Sequence, residues 1–179
     1  TCLAGIPPFA KADCHDRCFK FVKAKQLQRL VTAWNLNIDA HYIFIVQQEH
    51  YEKYNLKYLL NLIAPGCDIV QINGITEGAA CSTLLAKEYI DSDAPLVMAN
   101  SDQYVEWNSN ECMYAFTADA IDGGIITFEA SHPKWSYAKL GTDGFVSEVA
   151  EKKVISNEAT VGIYYWKKGS DYVKYAEQM

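Results

Sequence analysis

"PLVMANSDQYVEW", residues 95–107, is a short apolar run that stops on polar residues. Leu96, Val97, Met98 and Ala99 read as a buried strand, and Asn100, Ser101, Asp102 and Gln103 follow at once. Outward from this stretch the chain alternates strands with helices. Upstream, "HYIFIV" (41–46) is β-branched and aromatic, as strands are. Residues 49–63 suit a helix closed by Pro65 and Gly66. "CDIVQI" (67–72) is the next strand, Gly74–Gly78 a loop and 79–90 a second helix. Further upstream, Leu27, Leu30, Val31 and Trp34 share one helical face over 23–34. Downstream, 108–120 suits a helix with Asn108, Ser109 or Asn110 as its cap. "GGIITFEA" (123–130) is a strand, "KWSYAKL" (134–140) and "FVSEVAE" (145–151) are two more around the turn "GTDG", and "TVGIYYW" (160–166) is another. A last helix starts near Ser170. Such alternation predicts parallel βαβ units, and the strand-rich tail makes the sheet mixed. The 179 residues fit one domain. In these sheets ligands sit at the carboxyl ends of the strands, which is where Asp102 falls.

Composition narrows the partners. Sixteen Lys and Arg against 22 Asp and Glu give a net charge of −6, with a pI near 5.2. That balance argues against a nucleic-acid-binding surface, which is usually basic. No apolar run approaches the roughly 18 residues of a membrane span. No targeting segment is visible, which points to the cytoplasm. Of the six cysteines, Cys67, Cys81 and Cys112 sit in apolar patterns and read as small core side chains. "CHDRC" (14–18) has the look of a zinc half-site, but the second ligand pair such sites need is missing.

Four stretches carry candidate chemistry. Asp102 could hold Mg²⁺, which takes one or two carboxylates together with substrate phosphates, or it could cap the following turn. "NGITEGAACSTLLAKE" (73–88) puts Gly74 and Gly78 just ahead of a helix, where backbone can approach a phosphate or a base edge. It also reads as a plain strand-to-helix turn. "EVAEKKVIS" (148–156) sets Glu151, Lys152 and Lys153 after a strand; Lys can meet phosphate and Glu can accept from sugar hydroxyls, unless the three charges are only a solvated turn. "SHPKWSYAK" (131–139) offers His132, Lys134, Trp135 and Tyr137, either as pocket lining or as a half-buried aromatic strand.

From about Asn37 to Met179 the order and spacing of these motifs resemble the sugar-phosphate nucleotidyltransferases, the NDP-sugar pyrophosphorylase family. "TEGAACSTLLA" is similar to the family's base-binding loop, with Gly78 as its glycine. "MANSDQ" resembles its metal strand, with Asp102 as the catalytic carboxylate for Mg²⁺. "VAEKKVIS" resembles its sugar-phosphate segment, with Glu151 on the sugar and Lys152 on the phosphate as the second catalytic residue. "ATVGIYYW" resembles the strand that follows, with Gly162 near the sugar, and Tyr137 joins the same subsite. The resemblance implies a Rossmann-like three-layer α/β/α fold with a mostly parallel, mixed sheet. It implies a reaction in which a nucleoside triphosphate and a sugar 1-phosphate give an NDP-sugar and pyrophosphate, a route to polysaccharide precursors. A homo-oligomer is compatible with it.

The chain departs from the family at its start. Ala4-Gly5 and "FAKA" stand where the Gly-rich nucleotide loop belongs, so Gly5 is a nucleotide-binding candidate, but Pro7 and Pro8 replace its glycines and Arg. Proline has no N–H to offer a phosphate and its φ is locked. The family's second metal-binding Asp would fall past Met179, so the chain is expected to be a fragment with an impaired triphosphate side. Two other functions compete. One is a nucleotide-sugar-dependent glycosyltransferase, which usually has two acids spaced by one residue; here Gln103 and Tyr104 follow Asp102. The other is an inactive nucleotide- or sugar-binding domain.

Overall fold

The computed structural model describes residues 40–100, 105, 108–118 and 121–179. Gly5, Asp102, the "CHDRC" cysteines and the helix expected over 23–34 lie outside them. Contacts group the chain into two compact units: one holds Val97–Lys167, and the other holds the described residues before Val97 together with Lys168–Met179.

The second unit begins with β1 (Ile43–Gln47), α1 (Gln48–Lys53), α2 (Leu56–Ile63) and β2 (Asp68–Ile72). β1 and β2 pair in parallel, from Ile43↔Asp68 to Gln47↔Ile72, as a βαβ crossover allows. The single helix expected over 49–63 is divided at Asn55, which adopts the left-handed region (φ 54°) that Asn tolerates better than most residues. After the loop come α3 (Ala79–Leu84) and α4 (Lys87–Ile90), in place of one helix over 79–90. The unit closes with α6 (Gly169–Ala176), reached after the other unit's elements. Leu60 and Ala86 are among the most deeply buried side chains here, and Tyr172 and Val173 bury the inner face of α6. Two exposed ion pairs, Lys87–Glu177 (2.6 Å) and Lys168–Asp93 (2.9 Å), flank that helix. Its first residue is more telling. Gly169 donates its N–H to the Ala94 carbonyl (2.9 Å), and a Cβ at this position would collide with the Ile90 carbonyl. Because backbone cannot swing aside like a side chain, Gly169→Ala should cost about 1–3 kcal/mol, the range for overpacking, read as a lower midpoint in urea.

The first unit contains β3 (Leu96–Ala99), α5 (Ser109–Ala118), β4 (Gly123–Glu129), β5 (Tyr137–Leu140), β6 (Val146–Ala150) and β7 (Glu158–Trp166). Of the three candidate caps, Asn108 starts α5: its Oδ1 accepts the Glu111 N–H, and its Nδ2 donates to the Glu111 Oε2. β7 is the spine of a five-stranded sheet, with Ala159, Val161, Ile163 and Tyr165 buried. β4–β7, β5–β6 and β5–β7 are all antiparallel. The mixed α/β reading therefore stands, while a mostly parallel sheet is not borne out: β1–β2 is parallel, but these three pairs of the larger sheet are antiparallel. The tail supplies four of the larger sheet's five strands, and β3 supplies the fifth.

Cys112 is buried on α5 as expected, but Cys81 is exposed. Burial, with a smaller contribution from the Glu111 charge, pushes the Cys112 thiol up to about 11. At pH 8 only about 10⁻³ of such a thiol is ionised. Peptide mapping after iodoacetamide treatment at pH 8 should find Cys81 alkylated and Cys112 intact, with Cys112 reacting about tenfold faster per pH unit until about pH 11.

Candidate functional site

The site in the first unit follows from how β7 shares its edges. Along a strand, the N–H and C=O of successive residues point to alternate edges. Asn157 and Lys167 bond to β4's flanks, through Ala130 N–H to Asn157 O (3.0 Å) and Lys167 N–H to Asp122 O (2.9 Å). Thr160 and Gly162, of the opposite parity, use the other edge. Thr160 N–H bonds to Ser136 O (2.8 Å) at the start of β5, and Gly162 O accepts the Asn100 N–H (3.1 Å) at the end of β3. Within two residues, one edge of β7 changes partner from β5 to β3. The sheet forks there.

Gly162 sits at the fork. β4 pairs Ile125↔Tyr164 and then Thr127↔Thr160, so β7 spends four residues where β4 spends two. The extra residues form a bulge, and Gly162 at φ 86° occupies the left-handed region inside it. An isolated glycine in a strand pattern is a bulge signal, so this feature was open to sequence reading.

The hairpin brings further candidates to the same end. Tyr137 pairs with Ala159 on β7 and with Ala150 on β6, so the three strands share one row. β6 runs in the same sense as β7, since each is antiparallel to β5. Residues after Ala150 therefore emerge on the side where Thr160–Gly162 lie, two strand spacings or about 10 Å away. Glu151 and Lys152 come directly after Ala150. Lys152 holds a left-handed φ of 52°, which is uncommon for a side-chain-bearing residue and costs on the order of 1–2 kcal/mol. Its ammonium lies 3.2 Å from Glu151 Oε1, with the side chains 73% and 76% exposed, so the pair itself contributes little. The strained backbone and the exposed charges together suit a binding turn.

Tyr137 occupies the same row but has no exposed surface, and its hydroxyl is donated to the His132 carbonyl at 2.8 Å. It packs the sheet and steadies the turn before β5, and offers a sugar no surface.

Gly78 belongs to the other unit. Gln47↔Ile72 is the last pair of β1–β2, so α1 and the loop after β2 leave from the same carboxyl edge. Gln47 Nε2 donates to the Gly74 carbonyl (2.8 Å), with Gly74 at φ 79°. Thr76 Oγ1 bonds to the Gly78 carbonyl (3.1 Å) and to Ser82 Oγ (2.6 Å), closing the loop onto α3. Gly78 itself is extended (φ 179°), and a Cβ there would meet nothing within 4 Å. Neither conformation nor packing among the described residues calls for glycine at this position. Gln47 and Thr76 went unnoticed as loop supports because their partners are distant or backbone.

Among the described residues no group of three or more His, Cys, Asp or Glu could hold a metal. No helix among the described residues is long and apolar enough to cross a membrane.

No family model matches the sequence, and no curated protein is similar to it at a significant level. Solved structures do match. The nucleoside-diphosphate-sugar pyrophosphorylase of Vibrio cholerae has a TM-score of 0.67 at 20% identity, over 98% of this chain and 72% of that one. The inositol-1-phosphate CTP transferase of T. maritima gives 0.62 at 16%, over 85% and 62%. A UDP-glucose pyrophosphorylase complexed with UDP-glucose gives 0.56 at 13%, over 86% and 67%. The chain thus spans about two thirds of these structures, and the likeness is one of fold, shared with these pyrophosphorylases and this CTP transferase.

Proposed function

We propose that this fold serves a nucleotidyltransferase that joins a nucleoside triphosphate to a sugar 1-phosphate and releases pyrophosphate. The observation that carries the reading is the forked end of the sheet, where the Gly162 bulge and the Glu151–Lys152 turn flank the start of β5. In the reaction, a phosphate oxygen of the sugar 1-phosphate attacks the α-phosphorus in line, and the bond to the pyrophosphate oxygen breaks. No covalent enzyme intermediate is needed, so the protein's part is positioning and charge neutralisation. Lys152 neutralises the sugar phosphate, and Glu151 accepts hydrogen bonds from sugar hydroxyls. Gly162 is itself buried, and the bulge it permits shapes the strand beside the sugar. Gly78 and, on the nucleotide side, Gly5 let backbone approach the base and phosphates. Mg²⁺, taken by Asp102, would offset charge on the triphosphate. The prolines near Gly5 support a weakened triphosphate side.

Pyrophosphate release tests the reading, with the purified chain, Mg²⁺, sugar 1-phosphates and UTP, CTP or dTTP. Pyrophosphate from one pairing, abolished by Asp102→Ala, is expected. Release of NDP from a finished NDP-sugar would show a glycosyltransferase instead. Sugar-phosphate binding with neither product would show an inactive binding domain.

A further inference from the structure

The turn between β4 and β5 is built more firmly than a connecting loop requires. Three bonds converge on His132: the buried Tyr137 hydroxyl and the Trp135 N–H (3.3 Å) both donate to its carbonyl, and the Lys134 N–H donates to its Nδ1 (3.1 Å). Trp135 rests edge-on against Phe128, with centroids 5.0 Å apart at 90°. Lys134 Nζ lies over the Trp135 ring, 4.5 Å from its centroid. Among the described residues no carboxylate pairs with Lys134, whereas Lys87 and Lys168 each hold one. An aromatic face restrains an ammonium without neutralising it, so the full charge stays available to an anion.

The turn also stands in a telling place. It enters β5 at Tyr137, whose partner across about 5 Å is Ala150, so it and the Glu151–Lys152 turn leave from the same end of neighbouring strands. A phosphate monoester carries close to two negative charges and three free oxygens near neutral pH, more than one ammonium satisfies.

We infer that Lys134 is a second phosphate-binding cation at the fork, acting with Lys152 on the phosphate of the sugar 1-phosphate; this rests on the reaction proposed above. The restrained ammonium meets one phosphate oxygen while Lys152 meets another. The test is equilibrium binding, by calorimetry, of inorganic phosphate, glucose 1-phosphate and UTP to the wild type, Lys134→Ala and Lys134→Arg. Lys134→Ala should weaken phosphate and glucose 1-phosphate about tenfold and leave UTP unchanged, and Lys134→Arg should restore most of the loss. Unfolding midpoints within about 2 °C of the wild type will confirm that the exposed side chain is not acting through stability. Unchanged phosphate affinity in Lys134→Ala overturns the inference and leaves the reaction standing. A loss confined to UTP also overturns it, assigning the cation to the triphosphate. A wild type that binds neither phosphate nor glucose 1-phosphate overturns both this inference and the reaction.

Discussion

Replacing Lys152 should separate stability from activity. Lys152→Gly removes the steric cost of a left-handed backbone, and the gain should be about 0.5–1 kcal/mol after allowing for the looser unfolded chain. Lys152→Ala keeps a Cβ, and so keeps the strain and gains nothing. Both variants lose the ammonium, and on the proposed reaction both should form NDP-sugar about 10²–10³-fold more slowly, the cost of removing one charge-stabilising contact. Denaturant midpoints and pyrophosphate release on the same three proteins decide the matter. If Lys152→Ala turned over at the wild-type rate, Lys152 would have no part in the chemistry. Natural use of Lys where Gly would be easier is itself an argument that the side chain is needed there.

Phe116 should prove the most costly single truncation in the first unit. Its ring is 1% exposed and stacks on Tyr165, with centroids 5.1 Å apart and planes within 5°. Gly124 gives it room: a Cβ at that position would strike the ring, with Cδ1 at 2.6 Å. Phe116→Ala should therefore cost about 3–5 kcal/mol, or on the order of 10 °C in the thermal midpoint. Gly124→Ala alone should also destabilise, because the ring must move. Together the two changes should cost less than their sum by at least about 1 kcal/mol, since the added methyl occupies space the ring vacated. Strict additivity in calorimetry would mean that the ring does not depend on Gly124.

How much of this was legible beforehand varied with the physics of each segment. "HYIFIV", "CDIVQI", "GGIITFEA" and "TVGIYYW" all became strands, because β-branched and aromatic runs bounded by turn residues leave few alternatives. The cap of α5 was legible as one of Asn108, Ser109 or Asn110, and Asn108 takes it. Strand direction was not legible: an apolar run such as Ile125–Thr127 looks the same whether its neighbour is parallel or antiparallel, so the larger sheet was misjudged. Helix continuity over 49–63 failed on one residue, Asn55, whose left-handed backbone interrupts an otherwise good apolar periodicity. At the site, Glu151 and Lys152 could be singled out by residue type, but the strained φ of Lys152 could not. Tyr137 was misleading because an aromatic beside polar residues reads equally as ligand platform or core; its hydroxyl found a carbonyl, and its ring was buried. The fork depends on which residue of β7 bonds to which neighbour, information that no local pattern carries.

The hairpin of β5 and β6 meets the spine through one row, Tyr137↔Ala159, with the bond from Thr160 to Ser136 beside it. So slender a joint makes the hairpin a module. Insertions, trimmed turns or altered charges in the exposed β6 and its turns would leave the buried Tyr137 and Ala138 in place, and new preferences among small phosphorylated molecules could arise there by drift without putting the folding of the whole chain at risk.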